Sequence, residues 1–279
     1  MSRDPGTSAP DPAVGRAVTP ILLPRLAGLL LAVSVSLEIA VLADVLHLGL
    51  VAYNLQHLIL MLLLIVMNLA LYLRTRAENP RQARLAMWVA MGAASTTVGD
   101  WVNGSLSGVE PVSRKLTWAL LFFGVGYSLY IAAMADAWRT TLATRRPRGS
   151  RARWYMALPI AAGNTLAWYQ HVYPHVADYP VLCWGSLIFN ATIYTLLPLY
   201  ALWHALLARG HARSLIVLAG ALWLPYSDLI LFDTWLRGGD IATAPLHLLA
   251  LNWILYFGGQ ALFAMFPAFV LAGDTGQNA

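Results

Sequence analysis

Runs of about twenty apolar residues, repeated along the chain and divided by short arginine-bearing links, leave few folds open to this sequence. The first run is ILLPRLAGLLLAVSVSLEIAVLA, residues 21–43, and the pattern recurs to residue 272. Such a length is what an α-helix needs to cross a hydrocarbon layer about 30 Å thick. A membrane β-barrel would show short alternating segments instead, and these runs do not alternate. Only 11% of the 279 residues are charged, against about a quarter in a soluble domain. The fold class expected is therefore all-α: a polytopic membrane protein whose transmembrane helices form one bundle.

The runs number eight, at about 21–43, 49–73, 83–103, 114–138, 153–171, 180–208, 213–236 and 245–272. Residues 1–20, rich in Pro, Gly, Ser and Ala, read as a disordered N-terminal tail, and 273–279 as a short C-terminal one. The first run is long enough to be a retained helix rather than a cleaved signal peptide. The links carry charge unequally. Arg3, Arg16 and Arg25 precede the first span, Arg74, Arg76, Arg81 and Arg84 follow the second, and Arg139, Arg145, Arg146, Arg148, Arg151 and Arg153 follow the fourth. Arg209 and Arg213 flank the sixth link, whereas the opposite set of links holds only Arg114, Lys115 and Arg237. The positive-inside rule then places both termini in the cytoplasm, in a multi-pass protein of the cell (plasma or inner) membrane. A net charge of +5 distributed in this way signals topology, not a nucleic-acid surface.

With this orientation, the polar residues inside the spans gather toward the outer half: Glu38, His57, Asp100, Asn190, Asp228 and Asn252. Packing contacts alone would scatter them with depth. A carboxylate at bilayer depth costs about 2.5–3.5 kcal/mol on insertion scales, so Asp100 and Asp228 are the leading functional residues. Pro225, one turn before Asp228, should kink its helix. Cys183 is the only cysteine, which rules out an internal disulfide or a multi-thiolate metal site. His171 and His175 have a ligand-like spacing, but Pro174 lies between them, so no metal and no cofactor is expected.

Several short motifs resemble one family. Gly99-Asp100, then LLFFGVGYSLYIAAM (120–134), GALWLPYSDLILF (220–232) and NWILYFGGQALF (252–263) resemble, in order, segments of the lysoplasmalogenase family, the YhhN-like membrane proteins. The likeness spans about residues 85–270. The family's histidine in the second motif is replaced by Tyr127 or missing, and its early Lys-Pro pair is absent, with YNLQHLIL in that region. The resemblance implies hydrolysis of the vinyl ether bond of a lysoplasmalogen to a fatty aldehyde and a glycerophospho-alcohol. It implies catalysis by Asp100 and Asp228, a lipid substrate and no metal. It also puts Ser227, Tyr256 and Gln260 at family positions, with Asn190 and Tyr194 on the preceding helix. Together with Tyr127, His57 and Glu38, these form the expected substrate-binding set. Paired carboxyls suit the chemistry, because a vinyl ether opens by protonation at carbon to an oxocarbenium ion that water captures. Two alternatives use the same residues differently. One is a terpene-cyclase-like enzyme in which a buried acid protonates an alkene or epoxide. The other is a non-enzymatic transporter or haem- or copper-binding membrane protein. Oligomeric state is left open by the sequence.

Overall fold

In the computed structural model, the described residues are 19–104, 106–109, 112–144, 154–208, 211–238 and 245–272. The C-terminal tail, the arginines at 145–153, Arg209, and all but the last two residues of the expected N-terminal tail lie outside them. Among the described residues all regular structure is helical. The helices are α1 (Thr19–Leu42), α2 (Leu50–Thr75), α3 (Pro80–Asn103), α4 (Val112–Thr144), α5 (Ala157–His171), α6 (Tyr173–Val176), α7 (Pro180–Leu207), α8 (Ala212–Gly238), α9 (Leu246–Ala264) and α10 (Phe266–Ala272).

Six of these are long and apolar enough to cross a membrane: α1, α2, α4, α7, α8, and α9 continued into α10. The other two expected spans differ for separate reasons. α3 is long enough, but its small and polar residues, from Ser95 to Thr97 and at Asp100, dilute its apolar content. α5 has only 15 residues, about 22 Å at 1.5 Å per residue, and follows a 3-10 turn at Trp154–Met156. The last run is broken at Met265 into α9 and α10, a break that the continuous apolar pattern hides. α4 outruns its expected end and continues to Thr144.

Surface chemistry agrees with a lipid surround. Leu29, Leu62, Val66 and Leu73 are more than half exposed, along a face of α1 and α2 that water would not tolerate. Inside, the closest helix pairs are α3 with α4 and α8 with α9. Each is set by facing glycines. A Cβ on Gly126 would stand 2.7 Å from the Gly92 carbonyl oxygen, and one on Gly220 would stand 3.0 Å from that of Gly259. Only a bare backbone permits such an approach. α2 packs on α3, α7 on α4, and α1 on α9, so the two hairpins α3–α4 and α8–α9 sit at the heart of the bundle.

Candidate active site

Asp100 lies in the last turn of α3, and Asp228 lies ten residues before the end of α8. Both are buried, 8% and 2% exposed, and both line one cavity with Asn54, Asn103, Phe123, Asn252, Trp253 and Tyr256. The cavity has about 20 Å³ of free space, room for about one water molecule. It lies at the end of the bundle where α3 turns into α4, since Gly104 completes its wall.

The carboxyls are held by hydroxyls from other helices. Tyr194 of α7 donates to Asp228 Oδ2 at 2.6 Å, and Tyr127 of α4 donates to the same oxygen at 3.1 Å. Tyr256 of α9 donates to Asp100 Oδ2 at 2.8 Å. Every tyrosine in this set is itself buried, and the Phe123 ring packs on both Tyr127 and Tyr256. Hydrogen bonds to an ionised group are about twice as strong as neutral ones. A carboxylate here thus has preset partners in place of water.

The polar lining is only partly satisfied. Among the described residues Asn54 has no partner for either amide atom, and the same holds for Asn103 Oδ1, Asn252 Oδ1 and Trp253 Nε1. Each of these residues is at least nine-tenths buried. An unmet buried polar atom costs about 1–3 kcal/mol. Such a concentration around two carboxyls is a site prepared for water or a polar ligand.

The remaining expected residues sit behind this wall. Glu38 of α1 and His57 of α2 are fully buried and joined at 2.6 Å through His57 Nε2, while Tyr53 donates to the other Glu38 oxygen at 2.7 Å. The imidazole lies flat on Trp253, with ring centres 3.8 Å apart and planes 6° from parallel. Glu38 and His57 therefore reach the cavity through Trp253. Gln260 accepts from Tyr130 and donates to Thr96, tying α9 to α4 and α3 below the acids. Ser227 spends its hydroxyl on the Leu224 carbonyl of its own helix. The Asn190 amide nitrogen has no partner among the described residues, but Asn190 is not part of the cavity wall.

Asn103 and Trp253 were not among the expected residues. A sequence signal for the first exists, because Asn103 follows Asp100 by three positions and so shares its helix face. Trp253 stands inside the motif NWILYFGGQALF, where nothing in the sequence assigns it a role. Among the described residues, no group of three or more His, Cys, Asp or Glu side chains could hold a metal ion.

The model of the YhhN family matches residues 55–266, which takes in every residue of the cavity wall except Asn54. No curated protein and no solved structure matches the chain.

Proposed function

The chain belongs to the YhhN family, whose members include lysoplasmalogenases, and on that premise we propose that it is an integral membrane hydrolase cleaving the vinyl ether bond of lysoplasmalogen-type lipids. The observation that carries the reading is the convergence of Asp100 and Asp228, from separate helices, on one cavity with space for a water. The proposal includes eight crossings, with α3 and α5 as the shorter or less apolar members, and both termini on the cytoplasmic side. The cavity then lies under the outer surface of the plasma or inner membrane.

The reaction needs one neutral and one ionised carboxyl. Asp228 accepts two hydroxyls on one oxygen and is better supported as the anion, while Asp100, with one, takes the role of acid. Asp100 gives its proton to the alkene carbon remote from the ether oxygen. The π electrons form the new C–H bond, and the neighbouring carbon becomes an oxocarbenium ion facing the Asp228 carboxylate. Water adds to that carbon, and Asp228 takes the proton it sheds. The hemiacetal then passes its hydroxyl proton to the ether oxygen, releasing the glycerophospho-alcohol and leaving the fatty aldehyde. The proton gained by Asp228 equals the one lost by Asp100, so the pair resets by exchange between them. Asn54, Asn103, Asn252 and Trp253 hold the water and the ether oxygen. A cyclase would call for a dry pocket, and amides with unmet hydrogen bonds favour water instead.

The test is release of free aldehyde from a lysoplasmalogen by purified protein, wild type against Asp100→Asn and Asp228→Asn. Aldehyde from the wild type and its loss in both variants are expected. Undiminished activity in both would end the proposal.

A further inference from the structure

A second, much larger hollow runs between α4 and α7, lined by none of the residues of the carboxyl cavity. Its volume is about 760 Å³, and its walls come from residues 117–129 of α4 and 181–193 of α7. Both helices leave the site end in the same direction, so the groove follows them for about 18 Å at 1.5 Å per residue. That is a little more than half of a hydrocarbon layer about 30 Å thick, the depth of one leaflet.

Apart from the indole N–H of Trp118, the wall offers almost nothing to a polar ligand. Its three hydroxyls are all turned back on their own helices: Thr117 onto Ser113 O, Ser128 onto Gly124 O, and Thr192 onto Ile188 O. The carboxyl cavity is the reverse, with polar atoms left unmet. Two adjoining hollows of opposite chemistry fit a molecule with a polar end and a hydrocarbon end.

Phe189 joins them. It lines the groove, and its ring centre lies 5.9 Å from that of Tyr127 and 5.0 Å from that of Tyr194. Those are the two tyrosines that donate to Asp228. One aromatic layer therefore separates the groove from the acid. Gly124 and Gly185 keep the walls low, since Cβ atoms there would meet Phe189 at 3.5 Å and Leu120 at 3.2 Å.

We infer that the α4–α7 groove seats the single hydrocarbon chain of the substrate, taken in sideways from the lipid, with Phe189 as the door between chain and carboxyls. The identity of that chain as the substrate's own rests on the vinyl ether reading above. The groove selects by length and bulk and has no part in recognising the head group.

The experiment has two arms. In the first, Val125→Trp and Ile188→Trp fill the groove from positions about half or more exposed to lipid, where folding is little affected. Leu62→Trp, on the exposed face of α2, is the control. For a long-chain lysoplasmalogen, kcat/KM should fall at least about tenfold in the groove variants, the low end of what a blocked apolar pocket costs. A butenyl analogue should be cleaved as by the wild type, and Leu62→Trp should change neither. Equal loss for long and short chains, or no loss beyond the control, overturns the assignment. In the second arm, a lysophospholipid with a diazirine at its chain end is photolysed with the full-length protein. Label confined to 117–129 and 181–193, and removed by Ile188→Trp, is expected. Label spread over α1 and α2 overturns it. If the wild type cleaves no vinyl ether, the hydrolase reading fails and the second arm alone decides whether the groove holds a chain.

Discussion

The hairpins α3–α4 and α8–α9 are built to one plan. In each, a glycine crossing brings the helices together, and an aspartate follows eight residues later on the first helix: Gly92 and Asp100, Gly220 and Asp228. In each, the second helix carries a tyrosine, Tyr127 or Tyr256, that reaches a carboxyl. Yet neither tyrosine serves the acid of its own hairpin. Tyr127 holds Asp228 and Tyr256 holds Asp100, so each half completes the other. The halves differ in one respect that matters chemically. Asp228 has a further donor in Tyr194 from α7, whereas among the described residues Tyr256 is the one side chain that donates to Asp100. Near-equivalent helices thus give two carboxyls unequal surroundings, which an acid–base pair needs.

The comparison breaks most sharply at the acids. Asp100→Asn and Asp228→Asn should each lower aldehyde release at least about 100-fold, within the usual range for a general acid or base. The tyrosines come next and should separate the halves. Tyr256→Phe removes the hydroxyl that reaches Asp100 and should cost about 10- to 100-fold in kcat/KM, as expected for a bond worth about 1.5–3 kcal/mol to the carboxylate that Asp100 becomes as it gives up its proton. Tyr127→Phe leaves Tyr194 in place on Asp228 and should cost clearly less. Equal losses would mean that the extra donor has no consequence. Gly126→Ala and Gly220→Ala test the crossings by thermal unfolding in detergent. Overpacking costs about 1–3 kcal/mol, and Gly126→Ala, with the closer clash, should lower Tm further. Smallest is Arg84→Ala, which opens the partly exposed Arg84–Asp136 bridge between α3 and α4. Its effect on stability should stay below about 1 kcal/mol.

Apolar run length was enough to find every long helix, because burial in lipid imposes one pattern on all of them, but it misplaced the C-terminal ends of α4 and α9. The break at Met265 and the short α6 escaped notice, since neither interrupts that pattern. Asp100 and Asp228 stood out as carboxyls in apolar surroundings. Their tyrosine partners could not be paired by inspection, for Tyr127 is 101 positions from Asp228 and Tyr256 is 156 from Asp100. Such contacts depend on how hairpins dock, which no local pattern encodes. The groove was invisible for a similar reason. Its residues look like any lipid-facing stretch, and only the separation of two helices makes them a channel.

The imidazole of His57 carries a consequence of its own. Its Nδ1 lies 2.7 Å from the Tyr53 carbonyl, an atom that only accepts, so that nitrogen holds a hydrogen. Its Nε2 meets Glu38 Oε1 at 2.6 Å, and Tyr53 donates to the other carboxyl oxygen, so the buried pair is enclosed by hydrogen bonds. The lipid-facing first helix is thereby latched to the second by a fully hydrogen-bonded pair, which low-dielectric surroundings penalise far less than a group without partners. Trp253, lying face to face with that ring, takes its plane from the latch between α1 and α2, so a change in α1 can be felt as a tilt in the wall where water is held.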